Sequence, residues 1–334
     1  MLLQKQHRFY LLTCMSIILL SMLACGLSDL SEPLLVARYW AVDWRPDGQQ
    51  VAAIELDNLT VFTDTLQESR STSLGASSIA WHPDGTLIAV GNGKSVVILE
   101  GATLVGLQLI RVPQNRAVAW SPDGELLAVS AGADIELWAL SLQDNQTPSL
   151  HQVRVLTGHQ DTIASVAWNS DSRRVASISQ GGSIQVFDAQ TGEVECVLFL
   201  PTKSEPFGSI LSIDWKPSSN WVAVTESNSS KILIWDTAAE KVVKSLSGGQ
   251  SHQVSVEWSP DGSYLAGVGR KGITIWEVDA GRILNTFAPE EAYFLDASWR
   301  ADGQKIAVAG DIKNHPTIWI WDIVSGASTA ETQP

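Results

Sequence analysis

The chain of 334 residues is long enough for one large domain or two ordinary ones, and its 45% hydrophobic and 17% charged residues exclude an intrinsically disordered protein. Its formal net charge of −14, with no basic stripe along the sequence, argues against binding to nucleic acid, because phosphate backbones repel such a chain. Of its three cysteines only Cys196 lies beyond residue 25, which excludes a zinc site built from cysteine pairs and a disulfide within the body.

The first 24 residues have the pattern of a secretory signal peptide. Lys5 and Arg8 provide a basic start, residues 9–23 form a mostly apolar stretch without charge, and Ala24 is a small residue before the expected cleavage point. The apolar stretch is shorter than the ~20 residues that a membrane span needs. The sequence therefore predicts a signal peptide over residues 1–24 and a tether over residues 25–33.

The segment Met22-Leu-Ala-Cys25 resembles the lipobox of bacterial lipoproteins, in which the cysteine becomes the first mature residue and is diacylated through sulfur. Ala24 fits that pattern, whereas Met22 and Leu23 depart from it. The resemblance implies lipid attachment at Cys25 and anchoring to a membrane, since two acyl chains give stable attachment. Cleavage without a lipid and an uncleaved anchor are the alternatives, and both also place the body outside the cytoplasm.

A tryptophan recurs in a similar context, followed in most copies by a Pro-Asp-Gly turn. The copies repeat at roughly 42 residues, within the ~40–45 residues of a four-stranded propeller blade. We expect these side chains to be structural and to pack between neighbouring blades, because an active site does not need so many copies. The repeated residues are Trp44, Trp81, Trp120, Trp168, Trp215, Trp258 and Trp299.

Each copy has the pattern of an antiparallel β meander. In the third copy residues 117–120 lead into a Pro-Asp-Gly turn, residues 126–129 form a second apolar strand, and residues 135–138 form a third that ends in an aromatic. Proline fixes φ and glycine accepts a positive φ, which suits such turns. The pattern indicates an all-β fold, and no convincing amphipathic helix follows Cys25.

The ends of the third strands carry a resemblance to a known family. Trp235-Asp236 and Trp321-Asp322 resemble the Trp-Asp pair of WD40 repeats, and Gly158-His159 resembles their Gly-His pair. The resemblance covers residues 34–326. It implies a seven-bladed β-propeller of four-stranded antiparallel blades, followed by a C-terminal tail over residues 327–334.

The tetrad at His159 departs from the family pattern, and the two ends of the repeat region are expected to follow it. The family builds a hydrogen-bonded tetrad from His, Ser or Thr, Asp and Trp, but no Asp occurs in the turn after Ser179, so His159 is expected to lack its chain of partners. The blades are then expected to rely on packing. The last copy stops after its third strand at Ile323, and residues 34–37 form a spare strand, so we expect the two ends to pair and close the ring.

The sequence contains no constellation that indicates catalysis, a metal site or a cofactor. The turn Gly91-Asn-Gly-Lys-Ser95 resembles the end of a phosphate-binding loop but lacks the earlier glycine and the following helix. The histidines have no zinc spacing, and no Gly-x-Ser-x-Gly elbow occurs. No cluster of inward acids is evident, so we expect a protein that is not an enzyme and holds no metal or cofactor.

The family resemblance also implies a binding surface. WD40 propellers usually bind partners on the face formed by the loops before the first strands and between the second and third strands. Aromatic side chains and arginines are enriched at the strongest contacts of interfaces. Carried onto this chain, the candidate contact residues are Tyr39, Trp40, Arg116, Phe207, His252, Tyr293 and Phe294. The alternative is that these rings cover the rim of the core or pack within strands.

Two functions from different classes follow. The first is a scaffold that binds an unidentified protein or peptide outside the cytoplasm, held at a membrane through its N-terminus. The second is a propeller enzyme, a lactonase-like hydrolase or a quinoprotein, with its site in the central channel. An enzyme requires acids or histidines with shifted pKa values at the channel, so their apparent absence favours the scaffold.

Overall fold

Short strands separated by turns fold into seven antiparallel sheets of four strands each, in the order of the chain. The computed structural model describes residues 39–55, 58–142, 148–199, 212–225, 230–249, 253–313, 315–323, 325–326 and 328–332. All regular elements among these residues are strands. The predicted all-β, seven-bladed propeller is therefore confirmed.

The strands of blades 1 to 4 run through the first two thirds of the chain. In chain order they are β1 (Tyr39–Trp44), β2 (Gln50–Glu55), β3 (Asn58–Thr63), β4 (Glu68–Ser73), β5 (Ser78–Trp81), β6 (Leu87–Gly91), β7 (Val96–Glu100), β8 (Gly106–Ile110), β9 (Val118–Trp120), β10 (Leu126–Ala131), β11 (Asp134–Leu142), β12 (Pro148–Leu156), β13 (Ile163–Trp168), β14 (Arg174–Ser179), β15 (Ser183–Asp188) and β16 (Val194–Phe199).

The strands of blades 5 to 7 follow with the same connectivity. They are β17 (Ile213–Trp215), β18 (Trp221–Thr225), β19 (Ile232–Asp236), β20 (Lys241–Leu246), β21 (Gln253–Trp258), β22 (Tyr264–Gly269), β23 (Gly272–Glu277), β24 (Arg282–Phe287), β25 (Ala292–Trp299), β26 (Lys305–Ile312), β27 (His315–Asp322) and β28 (Ser328–Thr332).

The seven repeated tryptophans are all buried at the ends of first strands. Trp44 packs with Ala307 and Ile318 of blade 7, and Trp81 packs with Ile54 of blade 1. The prediction that these rings fill the spaces between neighbouring blades is confirmed. Because each blade buries its faces against two neighbours, the core is a ring of inter-blade clusters rather than one central mass.

The first strands lie at the centre of the ring. Each contacts the first strand of the next blade, and β25 contacts β1, so the circle is complete. At this last junction the Val42 amide donates to Asp296 Oδ2 over 3.1 Å, and the Trp44 amide donates to Ser298 Oγ over 3.2 Å. The first strands therefore line a central channel.

The last blade corrects one expectation. Its fourth strand is not missing, because β28 pairs with β27 in antiparallel register, with Ile320 opposite Thr329. The propeller thus extends beyond residue 326 into the segment predicted to be a tail. Residues 34–37 lie outside the described residues, but the edge of β27 that they were expected to occupy is taken by β28.

His159 corrects a second expectation, because it does have polar partners. Its Nε2 lies 2.7 Å from Ser177 Oγ and its Nδ1 lies 3.3 Å from Ser183 Oγ. Burial lowers the pKa of His159 to about 4, so the ring is neutral at physiological pH. The chain of bonds stops there, since Phe187 stands in the place of the family's tryptophan and cannot donate.

Packing does dominate where the third strands keep their tryptophans. The indole nitrogens of Trp235, Trp276 and Trp321 are buried and have no hydrogen-bond partner among the described residues. The expectation that these blades rely on packing is met at these positions.

None of the described residues forms a helix with the length and hydropathy needed to span a membrane.

The turn at Gly124 gives a test of how closely two blades approach. Its φ of +76° is unfavourable for any other residue, and a Cβ there would lie 2.5 Å from His82 Nε2. His82 stacks edge-on against Trp120 with ring centroids 4.8 Å apart, so it cannot easily withdraw. We expect Gly124→Ala to lower the free energy of unfolding by about 3 kcal/mol, measured by urea denaturation.

Gly281 provides the matched control. Its φ is +64°, yet nothing lies within 4 Å of the position that a Cβ would take there. Gly281→Ala should therefore cost only the backbone term, about 1 kcal/mol. Equal losses for the two variants would mean that His82 adapts and that the blades are not held closely at this point.

Candidate functional site

The meander gives the ring two different faces. The loops that lead into the first strands and the turns between second and third strands lie on one side, here called the top face. The Pro-Asp-Gly turns and the turns between third and fourth strands lie on the other, the bottom face. The top face is where the candidate contact residues were expected.

Two candidate contact residues are available on the top face. Arg116 is exposed in the loop that leads into β9, and its amide donates to Ser130 Oγ over 2.8 Å. Tyr293 is partly exposed, and the Arg270 guanidinium lies over its ring at 5.7 Å from the centroid. A cation on an aromatic face presents both apolar area and charge to a partner.

Phe294 has a different role from the one expected. It is completely buried, with ring centroids 4.9 Å from Trp319 and 6.2 Å from Phe287. The sequence placed Tyr293 and Phe294 in a loop, but β25 already begins at Ala292. Phe294 is therefore core between blades 6 and 7, as the packing alternative stated, and cannot contact a partner in this conformation.

The other candidate residues are described only in part. Tyr39 and Trp40 lie within β1 rather than in the loop before it, and Tyr39 pairs with Glu55 of β2. Their backbones thus belong to the innermost strand of blade 1. Phe207, His252 and the proposed lipid-bearing Cys25 lie outside the described residues, so their roles stay predictions.

The turn that resembles a phosphate-binding loop has no free amides to offer. Asn92 Oδ1 accepts from the amides of Lys94 at 3.0 Å and Ser95 at 2.8 Å, and Asn115 Oδ1 accepts from the Gly93 amide at 3.0 Å. A phosphate cradle needs such amides to point outward. The structure therefore supports the interpretation of this segment as a turn between β6 and β7.

Sequence reasoning missed a set of acids at the centre of the ring. Asp214, Glu257, Asp296 and Asp43 lie on the first strands of blades 5, 6, 7 and 1 respectively, which are consecutive around the circle. Three of them directly precede a repeated tryptophan. Blades 2, 3 and 4 carry Ala80, Ala119 and Ala167 at that position. The residue before each tryptophan was thus the signal that could have revealed an acidic half and an alanine half.

Each of these acids bonds to the next blade. Asp43 Oδ2 accepts from the Trp81 amide at 2.7 Å, Asp214 Oδ2 from the Trp258 amide at 2.6 Å, and Glu257 Oε2 from the Trp299 amide at 3.0 Å. The first strand of a blade has one free edge toward the channel, and buried amides need acceptors. The acids therefore join neighbouring first strands through hydrogen bonds.

The same acids hold protons more tightly than usual. Burial deep in the ring raises the pKa of Asp43 and Asp214 to about 7 and that of Asp296 to about 6. Burial, together with the neighbouring carboxylates, raises the pKa of Glu257 well above its ordinary value. As whole residues, the four are half-buried. Shifted acids of this kind are also found at catalytic sites, so the channel is a second candidate site.

The chemistry available at the channel is limited by those bonds. Each of the four carboxyl groups accepts at least one hydrogen bond from a neighbouring blade. No group of three or more His, Cys, Asp or Glu side chains among the described residues is arranged to hold a metal ion. The arrangement is explained by ring closure without any reaction, which favours a structural role for these acids.

Known proteins resemble this chain in its repeats. Residues 63–98, 150–188, 190–236 and 240–277 match the family described as "WD domain, G-beta repeat". These stretches lie within blades 1 to 6 and correspond to the repeats recognised from their tryptophans.

Individual relatives share only part of their length with this chain. A probable cytosolic Fe-S cluster assembly factor of Schizosaccharomyces japonicus is 34% identical over 37% of this chain and 20% of its own length. The WD repeat-containing protein VIP3 of Arabidopsis thaliana is 30% identical over 35% and 39%. A guanine nucleotide-binding protein subunit beta of Nicotiana tabacum is 31% identical over 37% and 34%. The chain thus matches less than half the length of each of these relatives.

Proposed function

We propose that this seven-bladed propeller, four stretches of which match the WD domain, G-beta repeat family, is a scaffold that binds a protein or peptide rather than an enzyme. The observation that carries the proposal is that the central acids and the top-face residues differ in their contacts. The acids at the centre of the ring are engaged in bonds between blades, whereas the top-face residues Arg116 and Tyr293 are accessible. The names of the relatives describe an assembly factor and a subunit, which also suits association with other proteins.

The proposal can be tested by site-specific crosslinking on intact cells. A photoreactive amino acid at position 116 or 293 of the full chain should yield crosslinked partner bands. The same group at Asp302, which is exposed on the bottom face, is the control and should yield none. Crosslinks of equal strength from both faces, or from the bottom face alone, would show that the top face is not the binding surface.

An enzyme with its site in the channel is the second candidate, because four acids with raised pKa values lie together there. The two candidates differ in what a single substitution does. Glu257→Gln keeps an oxygen acceptor for the Trp299 amide but cannot exchange a proton. Under the scaffold proposal this variant crosslinks its partner as before, whereas a channel enzyme would lose its acid-base group.

We further propose that the scaffold is anchored outside the cytoplasm through a lipid on Cys25. Support comes from the basic start, the short apolar stretch and the lipobox-like segment that ends at Cys25. Cys25→Ser removes the sulfur that forms the thioether, so the chain should move from the membrane fraction to the soluble fraction and its mass should fall by that of the lipid. Cys196→Ser is the control, because that thiol is buried in the ring. Unchanged fractionation and mass for Cys25→Ser would exclude the lipid.

A further inference from the structure

The two faces of the ring differ in charge. The bottom face carries an acid in the turn after the first strand in all blades but the fifth, at Asp47, Asp84, Asp123, Asp171, Asp261 and Asp302. The top face also carries acids, among them Asp134 and Asp161, and it has exposed cations where blades 2 and 3 meet. They are Lys94, Arg111 and Arg116, here called the basic platform. The six acids of these turns therefore lie on the face opposite the platform.

The thickness of the ring separates the two faces electrically. Strands of six residues span about 20 Å, since each residue rises about 3.3 Å. That distance exceeds two Debye lengths at physiological ionic strength, where the Debye length is about 8 Å. The acids of the bottom face are therefore screened from a group on the top face, and the local sign of the platform decides what it attracts.

The central acids lie on other blades than the ones that carry the platform. Those acids lie on the first strands of blades 5, 6, 7 and 1, whereas blades 2 and 3 carry Ala80 and Ala119 before their repeated tryptophans. No ion pair joins Lys94, Arg111 or Arg116 to an acid within the described residues. By contrast, Lys313 on blade 7 is paired with Glu291 at 3.3 Å. The platform cations are thus free to interact with a partner.

The loops that carry the platform are fixed to one another. Asn115 is buried, accepts from the Gly93 amide, and donates through Nδ2 to the carbonyl oxygens of Ser95 and Val112. The Gln114 amide donates to the Gly93 carbonyl over 2.8 Å, and Gln114 itself has a φ of +60°. A left-handed conformation at a residue other than glycine costs energy and persists only where the surroundings hold it. The cations are therefore presented from a preorganised surface.

The platform also has a direction. Arg111 follows β8, the outermost strand of blade 2, and Arg116 precedes β9, the innermost strand of blade 3. Lys94 lies in the turn between the two middle strands of blade 2. The three positions thus run from the rim toward the channel, which suits an extended segment that lies across the face.

We infer that the basic platform binds an acidic, extended peptide segment of the partner protein. The inference rests on the proposed function and specifies its partner chemistry. Carboxylates along such a segment would pair with Lys94, Arg111 and Arg116, and their charge would orient the partner toward the top face and away from the acidic bottom face. Long-range charge of this kind mainly raises the association rate and selects the partner.

The test uses the full chain in detergent and a fluorescein-labelled peptide of alternating glutamate and glycine, followed by fluorescence anisotropy. The wild-type chain should bind this peptide with a dissociation constant that rises with salt. The double variant Lys94→Glu with Arg116→Glu should weaken binding at least tenfold. The matched control, Arg173→Glu with Lys241→Glu, reverses two exposed cations near the bottom face and should leave binding unchanged.

Several results would overturn the inference. These are equal weakening by both double variants, equal binding of a glutamine-glycine peptide, or binding of phosphatidylserine vesicles in place of the acidic peptide. Crosslinking from position 293 separates the two proposals. If crosslinks persist in the Lys94→Glu, Arg116→Glu chain, the top face still binds and only the acidic chemistry is wrong; if the wild-type chain gives none, the proposed function itself fails.

Discussion

Replacing Phe294 with alanine is expected to lower the free energy of unfolding by about 3–5 kcal/mol, which corresponds to a fall of roughly 6–10 °C in Tm. The phenyl group of Phe294 fills the space between blades 6 and 7 against Trp319 and Phe287. The backbone of Phe294 is also tightly packed, since a Cβ on Gly310 would lie 3.1 Å from the Phe294 Cα. The site therefore has little freedom to collapse around a smaller side chain, and thermal unfolding followed by circular dichroism measures the loss.

Tyr293→Ala is the matched control for this substitution. The two residues are adjacent on β25, but Tyr293 is partly exposed and the Arg270 guanidinium lies over its ring. Its loss should cost about 1 kcal/mol in stability. If Phe294→Ala lowers Tm no more than Tyr293→Ala, Phe294 is not part of the core and its role in partner contact must be reconsidered.

The ring is expected to be more stable at pH 6.5 than at pH 8. Burial raises the folded-state pKa values of Asp43 and Asp214 to about 7, and burial together with the neighbouring carboxylates raises the pKa of Glu257 well above its ordinary value. The folded chain then binds more protons than the unfolded chain between about pH 4 and 7. This contribution is complete below the unfolded pKa values and is lost as the pH rises through the folded ones.

The size of the effect follows from the same linkage. One pKa unit corresponds to about 1.4 kcal/mol of unfolding free energy, and contact with solvent reduces this value. For the central acids together, the free energy of unfolding should therefore fall by about 2 kcal/mol between pH 6.5 and 8. Thermal unfolding at the two pH values measures it. A Tm that is constant or that rises over this interval would contradict the assignment of protonated acids to the ring centre.

The chosen interval avoids the groups that act in the opposite direction. The pKa of His159 is lowered to about 4 by burial, so its contribution falls away as the pH drops through its ordinary value near 6.5, and at pH 6.5 itself the loss is only about 0.4 kcal/mol. The pKa of Asp302 is lowered by the Arg300 guanidinium, and that of Asp188 is lowered by the Thr191 amide. Their contributions are lost only near pH 4 and below, outside the measured range.

Glu257→Gln tests the central acids directly. The glutamine removes the charge and keeps an acceptor for the Trp299 amide, so it should raise Tm at pH 8 and flatten the dependence on pH. Asp302→Asn is the control, because Asp302 is an exposed bottom-face acid and its loss should not flatten the curve between pH 6.5 and 8. A Glu257→Gln chain that is less stable at pH 8 would show that the ionised carboxylate is required.

The blade pattern could be predicted because its causes are local. A tryptophan at the end of a strand, a Pro-Asp-Gly turn and alternating apolar residues each specify neighbouring backbone, and repetition reinforces the prediction. Trp44, Trp258 and their counterparts are buried between blades as expected. The same local logic identified the turn at Lys94, where Asn92 occupies the amides.

Local reasoning failed where two distant segments decide the outcome. Phe294 looks like a loop aromatic in the sequence, but a cross-strand neighbour without a side chain, Gly310, lets β25 begin earlier. The fourth strand of blade 7 was missed because Ser328–Thr332 is polar and has no strand pattern of its own. It is a strand only because the edge of β27 offers unpaired backbone groups.

The sequence by itself determined the number of blades, their strand order and the structural role of the repeated tryptophans, because each depends on residues close together in the chain. Only the tertiary structure decided which side chains meet at the centre of the ring. Asp43 and Asp296 are more than 250 residues apart, yet closure of the circle between β25 and β1 brings them together and shifts their affinity for protons. The acidic centre and the basic platform lie on different blades. Their positions relative to each other are defined only once the ring has closed.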